Sequence, residues 1–334
     1  MSVYFSAIGS GLGDIVVSLP ILQQLIARGE RVYLVAKSER QENLEALLPG
    51  LSGIIREPDF DEENIDGSYH NFRAHPIQTT YDWTSPEFHR DFPGVNMNSM
   101  LEIICRDFGL DIDFRKPLEP LPFTFNPEWS QTIIFVPGTV IDTKCWQVSR
   151  WFELYQALKG AGHPVLIIGE PDRAPPVKQL YELGLPWIGT PNIADVVDIV
   201  SSCRAVVSVD TGIMHLSVQQ NKPTVALFEH SPLYYRPHPC CRPLFASPCQ
   251  KECIEAFSFS FEQREKSPPW AWYHGQFERC TAIEELKCMN SISVSSVLAQ
   301  LKDFIEPGLK AVQADTAGNL SDFSMHSCVG GDRS

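Results

Sequence analysis

Two short apolar runs, separated by a polar turn and a short helix, constrain the fold of this chain most. The runs are Ala205–Val209 and Thr224–Phe228, and both are almost wholly apolar. Such runs are typical of parallel strands that are buried on both faces of a sheet. The helix between them carries His215, so the stretch predicts one βα unit that leads into another strand.

The polar turn lies where open parallel sheets bind anionic ligands. Such ligands sit beyond the carboxyl ends of the strands, where the first turn of the next helix presents unpaired N–H groups. The candidate residues for binding a phosphate or diphosphate are therefore Asp210, Thr211, Gly212 and His215. The same residues also fit a structural role, in which Asp210 caps the helix and His215 is buried.

The alternation of strands and helices extends through the second half of the chain. Apolar runs at 132–136 and 164–168 predict two further buried strands, and helices are predicted at 149–159, 174–183 and 192–202. This pattern predicts an α/β fold with a doubly wound parallel sheet.

A proline-rich segment at 117–127 divides the chain into two halves. With 334 residues, the chain is long enough for two hydrophobic cores. We predict an N-terminal domain over 1–127 and a C-terminal domain over 128–307, whose last helix covers 294–304. The polar residues 308–334 are expected to be a disordered tail.

The chain opens with a predicted strand at 3–8, a glycine-rich turn that contains Gly11 and Gly13, and a helix over 14–27. The turn has the spacing G-x-G-x-G, whereas dinucleotide-binding folds use G-x-G-x-x-G. In addition, no acidic residue ends the next strand, 32–36. Both observations disfavour an NAD-dependent dehydrogenase.

Asp14 follows this turn directly and has two interpretations. Asp is a common N-terminal cap of helices. A carboxylate at a strand-to-helix turn also faces the cleft between two domains, where it could take a proton from an attacking hydroxyl group. Both roles require the same oxygen atoms.

The rest of the first half gives fewer signals. We predict a helix over 40–48, a short strand at 53–55 and a helix over 98–108, and we assign no structure to 68–95. That segment contains three candidate residues for the acceptor side of the cleft, namely His70, His75 and His89.

Composition limits the class of protein. Hydrophobic residues make up 43% and charged residues 20% of the chain, as in soluble globular enzymes. No apolar run reaches the roughly 20 residues that span a bilayer, and no signal-peptide pattern opens the chain, which predicts a cytoplasmic protein. The net charge of −14 argues against nucleic acid as a partner, because binding to phosphate backbones needs clustered Lys and Arg.

The chain contains 10 cysteines. Cys105 and Cys203 lie in apolar helical patterns and are expected to be core residues. Four others are candidates for a tetrahedral zinc site or a disulfide, although their spacing fits no standard finger and four unlinked thiols remain an alternative: Cys249, Cys253, Cys280 and Cys288.

Four sequence motifs resemble those of glycosyltransferase family 9, the heptosyltransferases of lipopolysaccharide core synthesis. One is D-[ST]-G-x-x-H before K-P-T-V-x-L-F, here 210–215 and 222–228. The others are G-D-x-x-x-x-x-P-x-L at 13–22, K-x-W at 144–146, and a cysteine-bearing tail that ends in C-M-x-x-I at 288–292.

The resemblance implies a GT-B fold, in which two Rossmann-like domains face each other across a cleft, and an inverting, metal-independent sugar transfer. Asp14 would be the base that deprotonates the acceptor hydroxyl, and Glu170 would approach the ribose of the donor nucleoside, although Glu170 also fits a helix cap. The residues that would hold the donor diphosphate are Thr139, Lys144, Asp210, Thr211, Gly212 and His215.

By resemblance, the donor is ADP-heptose and no cofactor is required beyond this nucleotide sugar. The acceptor is a glycan or a lipid-linked saccharide, which would bring the protein into peripheral contact with the cytosolic face of the inner membrane. Acidic residues outnumber basic ones most strongly in 1–127, which favours a weakly charged glycan as the acceptor.

The sequence departs from the family pattern after Phe228. Glu229 and His230 follow this strand, where the family usually has a glycine. This difference bears on the identity of the sugar nucleotide. It also makes a non-catalytic protein that binds nucleotide sugars a rival function. Another enzyme class on the same architecture, a sugar-nucleotide 2-epimerase, is a further rival.

Overall fold

The structure is a computed structural model that describes most of the chain. The described residues are 2–37, 44, 47–79, 96–139, 144–190, 192–229, 235–247 and 288–305. Several predictions fall outside these ranges, namely most of the helix over 40–48, His89, Cys249, Cys253, Cys280 and the tail 308–334.

The first half forms a four-stranded parallel sheet with the order β3-β2-β1-β4. Its strands are β1 (Ser2–Ser6), β2 (Arg31–Ala36), β3 (Gly53–Arg56) and β4 (Gly67–Asn71). Three of them coincide with predicted strands, whereas β4 lies at the edge of the segment to which no structure was assigned. Its sequence, GSYHN, lacks the apolar run by which buried strands are recognised.

The described residues of this half form four helices: α1 (Leu12–Val16), α2 (Leu19–Ala27), α3 (Pro76–Thr79) and α4 (Met97–Asp107). The prediction of one continuous helix over 14–27 was wrong. Proline has no N–H to donate, and its ring clashes with the carbonyl four residues earlier, so Pro20 cannot continue α1. Pro20 instead lies in the first turn of α2, where the missing N–H is not needed.

The second half forms a six-stranded parallel sheet with the order β10-β9-β8-β5-β6-β7. Its strands are β5 (Ile133–Val136), β6 (Val165–Ile168), β7 (Trp187–Ile188), β8 (Ala205–Val209), β9 (Thr224–Phe228) and β10 (Cys241–Phe245). The four central strands agree with the predictions. The two edge strands were not predicted, because β7 has only two residues and β10 contains Pro243, which a central strand would not tolerate.

Within the part of the chain that the structure describes, five helices pack on this sheet: α5 (Val148–Gly160), α6 (Pro175–Glu182), α7 (Ile193–Ser202), α8 (Gly212–Gln219) and α9 (Val294–Ile305). The ends of α5, α6, α7 and α9 lie within one residue of the predicted ends, and α8 is the predicted short helix that carries His215. None of the helices in the described part of the chain is long and apolar enough to cross a membrane.

The strands of the second sheet are buried on both faces. Alternate side chains of β5 belong to two different apolar clusters: Ile133 and Phe135 face helices α5, α6 and α9, whereas Ile134 and Val136 face α7. The cluster on the α7 side continues without a break into the core of the first half, which includes Phe5. The two halves are therefore packed against each other through a shared apolar cluster.

Candidate active site

The candidate site lies where the first turns of α1 and α8 meet across the two halves. A Cβ atom added at Gly212 would lie 2.9 Å from the backbone N of Gly13 and 2.9 Å from the Cβ of Leu12. Real Cβ atoms do not approach other atoms so closely, so only glycine allows this contact. The contact brings the glycine-rich turn of the first half to the Asp-Thr-Gly turn of the second.

Asp14 lies in the first turn of α1 and is half-buried. Its Oδ2 accepts a hydrogen bond of 2.7 Å from the backbone N–H of Gly11, and a side chain at Gly9 would collide with this carboxylate. Burial raises the pKa of Asp14, while the Gly11 N–H and the positive charge of Lys144 act in the opposite direction. A raised pKa makes the carboxylate a stronger base.

Lys144 and Asp210 form a buried ion pair at the carboxyl ends of β5 and β8. The Lys144 Nζ donates to Asp210 Oδ2 over 2.7 Å, and both side chains are less than one-tenth exposed. Burial by itself would raise the pKa of Asp210, but Lys144 and the His215 ring together lower this pKa to about 2. The pKa of Lys144 is raised because its carboxylate neighbours outweigh its burial. Both groups are therefore charged at neutral pH.

Trp146, the tryptophan of the K-x-W motif, anchors the segment that carries Lys144. Trp146 is fully buried and packs edge-on against Trp151, with 5.2 Å between the ring centroids. Its Nε1–H donates to the backbone carbonyl of Ile292 over 3.0 Å. Two of the sequence motifs, K-x-W and C-M-x-x-I, are thus bonded to each other, and this contact fixes the chain from which Lys144 projects.

His215 completes the buried cluster. Its Nε2 lies 3.5 Å from Asp210 Oδ1. Its Nδ1 is buried and has no hydrogen-bond partner among the described residues. The predicted burial of His215 is therefore found, but it does not exclude a binding role, because the ring lies next to Asp210 and against the Gly13 turn.

Thr211 and Gly212 begin α8. Thr211 has an extended backbone, and its side chain makes no capping hydrogen bond to this helix. Asp210 does not cap the helix either, since its described hydrogen bonds and ion pairs go to Lys144 and His215. Within the described ranges, the first N–H groups of α8 are thus left for a ligand, which favours an anion at this place.

Thr139 and Glu170 lie farther along the same edge of the sheet. Thr139 is half-buried and follows β5, whereas Glu170 is exposed and follows β6. Glu170 pairs with Arg173 over 2.9 Å. The alternative role of Glu170 as a helix cap is not found, because Ala174 is the N-cap residue of α6 and no side chain caps it.

Glu229 follows β9 and is buried, with 4% of its surface exposed. Its negative charge acts on Lys144 and raises the pKa of that lysine, as Asp210 does more strongly. The residue that replaces the usual glycine is therefore part of the same charge cluster and not a surface substitution.

Lys37 is a residue of the first half that the sequence analysis missed. It directly follows β2, and its Nζ lies 3.3 Å from Asn71 Oδ1 and 3.5 Å from Glu57 Oε1. The negative charge of Asp14 also acts on it. Its place after a parallel strand was the available signal, because side chains at such positions face the ligand.

His70 and His75 do not lie with the groups of the candidate site. Both rings pack against Phe108, with centroid distances of 5.3 and 5.4 Å. His75 also lies 3.4 Å from Asp107, at the end of α4. Burial lowers the pKa of both histidines, which is consistent with a packing role for neutral imidazole rings.

The cysteine predictions have different outcomes. Cys105 and Cys203 are buried, as predicted. Cys288 is half-buried, and its three proposed partners lie outside the described ranges. Among the described residues, no group of three or more His, Cys, Asp or Glu side chains is arranged to hold a metal ion.

Comparison with known proteins gives a match in the second half of the chain. The model of glycosyltransferase family 9 (heptosyltransferase) matches residues 112–248. Lipooligosaccharide heptosyltransferase 2 of Haemophilus influenzae is 29% identical over 112 residues, which cover 31% of this chain and 32% of that protein. The match thus spans about a third of the relative. The predicted resemblance to the family is confirmed.

Solved structures match the fold of almost the whole chain. A glycosyltransferase of family 9 from Veillonella parvula has a TM-score of 0.60 at 15% identity, with 92% of this chain and 97% of that chain covered. The ADP-heptose lipopolysaccharide heptosyltransferase II of E. coli has a TM-score of 0.55 at 15% identity, with 92% and 99% covered. These similarities confirm the predicted GT-B fold.

Proposed function

We propose that this chain, which is similar to glycosyltransferase family 9, is an inverting glycosyltransferase of cell-surface glycan synthesis. It would move a sugar from a nucleotide-sugar donor to a hydroxyl group of a saccharide acceptor. The observation that carries this proposal is the contact between Gly13 and Gly212, because it brings Asp14 of one half to the Lys144–Asp210 pair of the other.

The second half holds the donor. Lys144, the hydroxyl of Thr211 and the first N–H groups of α8 bind the diphosphate, and Thr139 and His215 lie beside them. Glu170 accepts hydrogen bonds from the ribose. The order of the strands supports this arrangement, since β6, β5 and β8 are neighbours in the sheet and are followed in the chain by Glu170, Lys144 and Asp210, respectively.

The first half supplies the base. Asp14 takes the proton of the acceptor hydroxyl, and the oxygen attacks the anomeric carbon of the donor sugar from the side opposite the diphosphate. The bond from that carbon to the diphosphate oxygen breaks, and the electron pair leaves with the nucleoside diphosphate. Lys144 and the positive end of α8 stabilise this negative charge as it develops. The proposed step therefore uses no metal ion.

The donor that we favour is ADP-heptose, because the curated relative and the E. coli structure are heptosyltransferases by name. The acceptor would be a glycan or lipid-linked saccharide that the enzyme meets at the cytoplasmic face of the inner membrane. Lys37 is partly neutralised by Glu57, which supports an acceptor with little charge near the attacked hydroxyl.

A second candidate is a non-catalytic protein that binds nucleotide sugars. The observation in its favour is Glu229, which places a further negative charge beside the lysine that would stabilise the leaving group. Such a protein would bind the donor and transfer nothing.

A ligand panel tests both functions. A ligand at 100 times its Kd stabilises a protein by about 2.7 kcal/mol, so binding is detected as a rise in melting temperature. We expect ADP-heptose to raise the melting temperature more than ADP does, and NAD to have no effect. Incubation with ADP-heptose and saccharide acceptors should then release ADP and form a glycoside. Stabilisation without transfer to any acceptor would favour the binding protein, and conversion of the nucleotide sugar alone would indicate an epimerase. A response to UDP or GDP sugars only would contradict the heptose assignment.

A further inference from the structure

The segment 235–237 belongs to the second half but is bonded to the first. The backbone N–H of Met97 donates to the carbonyl of Tyr235 over 3.0 Å, and the Asn98 side chain donates to the carbonyl of Pro237 over 3.5 Å. Between these two bonds lies Arg236, whose side chain is buried and 3% exposed. This segment therefore connects the two halves through hydrogen bonds.

The guanidinium of Arg236 joins the two helices that meet at the candidate site. Its Nη1 donates to the carbonyl of Val16, the last residue of α1, over 3.4 Å. Its Nη2 donates to the carbonyl of His215 in α8 over 3.3 Å. The Val16 carbonyl is at the end of α1, and the last carbonyls of a helix have no partner within the helix and carry partial negative charge, which suits a cation.

A chain of hydrogen bonds extends this contact into the first half. Arg236 Nη1 also donates to Gln219 Oε1 over 3.2 Å. The amide of Gln219 donates in turn to the carbonyl of Glu119 over 2.7 Å and to Gln23 Oε1 over 3.3 Å. Arg236 is thus connected to α1, to α2, to the interdomain segment and to α8.

Among the described residues, Arg236 has no carboxylate partner for its charge. Within the described residues, none of the ion pairs includes Arg236, and its buried Nε has no hydrogen-bond partner. Burial lowers its pKa to about 10, so the side chain is still cationic at neutral pH. Burying a charge in this way costs stability, and apolar residues of similar size often replace buried charges with no loss or with a gain in stability. Its contribution is therefore expected in positioning more than in stability.

We propose that Arg236 is a positioning residue that holds α1, and with it Asp14, in a fixed place against α8. This inference rests on the proposed function, because it concerns the distance between the base and the bound donor. Arg236 contacts the backbone of Val16, two residues after Asp14, and the backbone of His215, so it acts on the site through α1 and α8. No sequence motif predicts this role, since a lone Arg before a proline is usually a surface residue.

The test uses Arg236→Met and Arg236→Lys in the full chain, with Arg242→Met as the control. Arg242 lies on the edge strand β10 and donates to the carbonyl of Pro239, within the second half. We expect Arg236→Met to lower kcat of transfer roughly 100-fold, because a misplacement of about 1 Å can cost this much. Arg236→Lys should lose about tenfold, since one amine keeps the charge but cannot reach all three acceptors. KM for the donor, ADP affinity and the melting temperature should stay close to the wild-type values.

A second measurement does not depend on transfer activity. In Arg236→Met, the amides of Val17 and Ser18 at the end of α1, which donate to the carbonyls of Gly13 and Ile15, should exchange with deuterium faster, while the amides of β8 keep their wild-type rates. This result would support the role of Arg236 even if the wild-type protein transferred no sugar, which would contradict the proposed function alone.

Two outcomes would overturn the inference. One is a kcat and an α1 exchange rate within about threefold of wild type in both variants. The other is a joint loss of ADP affinity and melting temperature in both variants, which would make Arg236 a structural residue. If Arg236→Met does not fold, the same criteria apply to Arg236→Lys.

Discussion

At the scale of single residues, the candidate site places one buried positive charge among several negative charges. One buried ammonium group, that of Lys144, interacts with the carboxylates of Asp210, Glu229 and Asp14, in decreasing order of effect. A diphosphate adds further negative charge to this cluster. The donor can therefore bind only if it competes with these carboxylates for Lys144 and also uses the N–H groups of α8.

Glu229 is the residue at which this balance can be tested. We expect Glu229→Gln to bind ADP about tenfold more tightly, which is about 1.4 kcal/mol, because the substitution removes a negative charge beside Lys144 without a large change in volume. Isothermal titration calorimetry measures the effect, with Glu153→Gln on the exposed face of α5 as the control. Weaker binding in Glu229→Gln would mean that the carboxylate accepts hydrogen bonds from the ligand.

At the scale of elements, the site depends on the contact between α1 and α8. Neither helix could approach the other so closely with a side chain at Gly212. The Asp-Thr-Gly motif therefore needs its glycine for the contact between the two halves, in addition to any contact with phosphate oxygens.

A glycine pair tests this element. Gly212→Ala would push its Cβ against the backbone of Gly13, so we expect α1 to shift and transfer to fall roughly 100-fold. The control is Gly160→Ala at the end of α5, where an added Cβ meets no atom within 4 Å. This control should keep its activity and gain up to about 1 kcal/mol of unfolding free energy. Equal activity of the two variants, measured as release of ADP, would contradict the proposed role of the contact.

The elements also show which parts of the fold could be predicted from sequence. The central strands β5, β6, β8 and β9 are continuous apolar runs, because helices cover both of their faces. Edge strands such as β10 have one open side and tolerate proline and charge, so their sequences lack that pattern. The break at Pro20 was missed because the apolar periodicity continues across it.

The candidate site was predictable to the extent that it depends on local topology. Asp14 and Asp210 lie in turns between a parallel strand and a helix, and the carboxyl ends of such strands bind ligands. Lys144 was predicted from the resemblance of the K-x-W segment to the family motif. The roles of Gly212 and Arg236 depend on how the two halves contact each other. Contacts between residues about 200 positions apart leave no periodic pattern in a single sequence.

At the scale of the whole molecule, the two halves are joined by one apolar cluster, by the hydrogen bonds of segment 235–237 and by the contact of α1 with α8. The base and the donor-binding groups belong to different halves, so each half alone would lack part of the proposed chemistry. This division predicts that loss of the base should affect transfer without affecting donor binding.

The most direct test of this account compares Asp14→Asn with the wild-type protein, with Asp303→Asn on the exposed face of α9 as the control. ADP affinity and sugar transfer are measured on the same preparations. The account predicts that Asp14→Asn lowers transfer at least 100-fold while ADP affinity stays within a few-fold of wild type, and that Asp303→Asn changes neither. A large loss of ADP affinity with transfer retained would contradict the account and would make Asp14 a structural cap of α1.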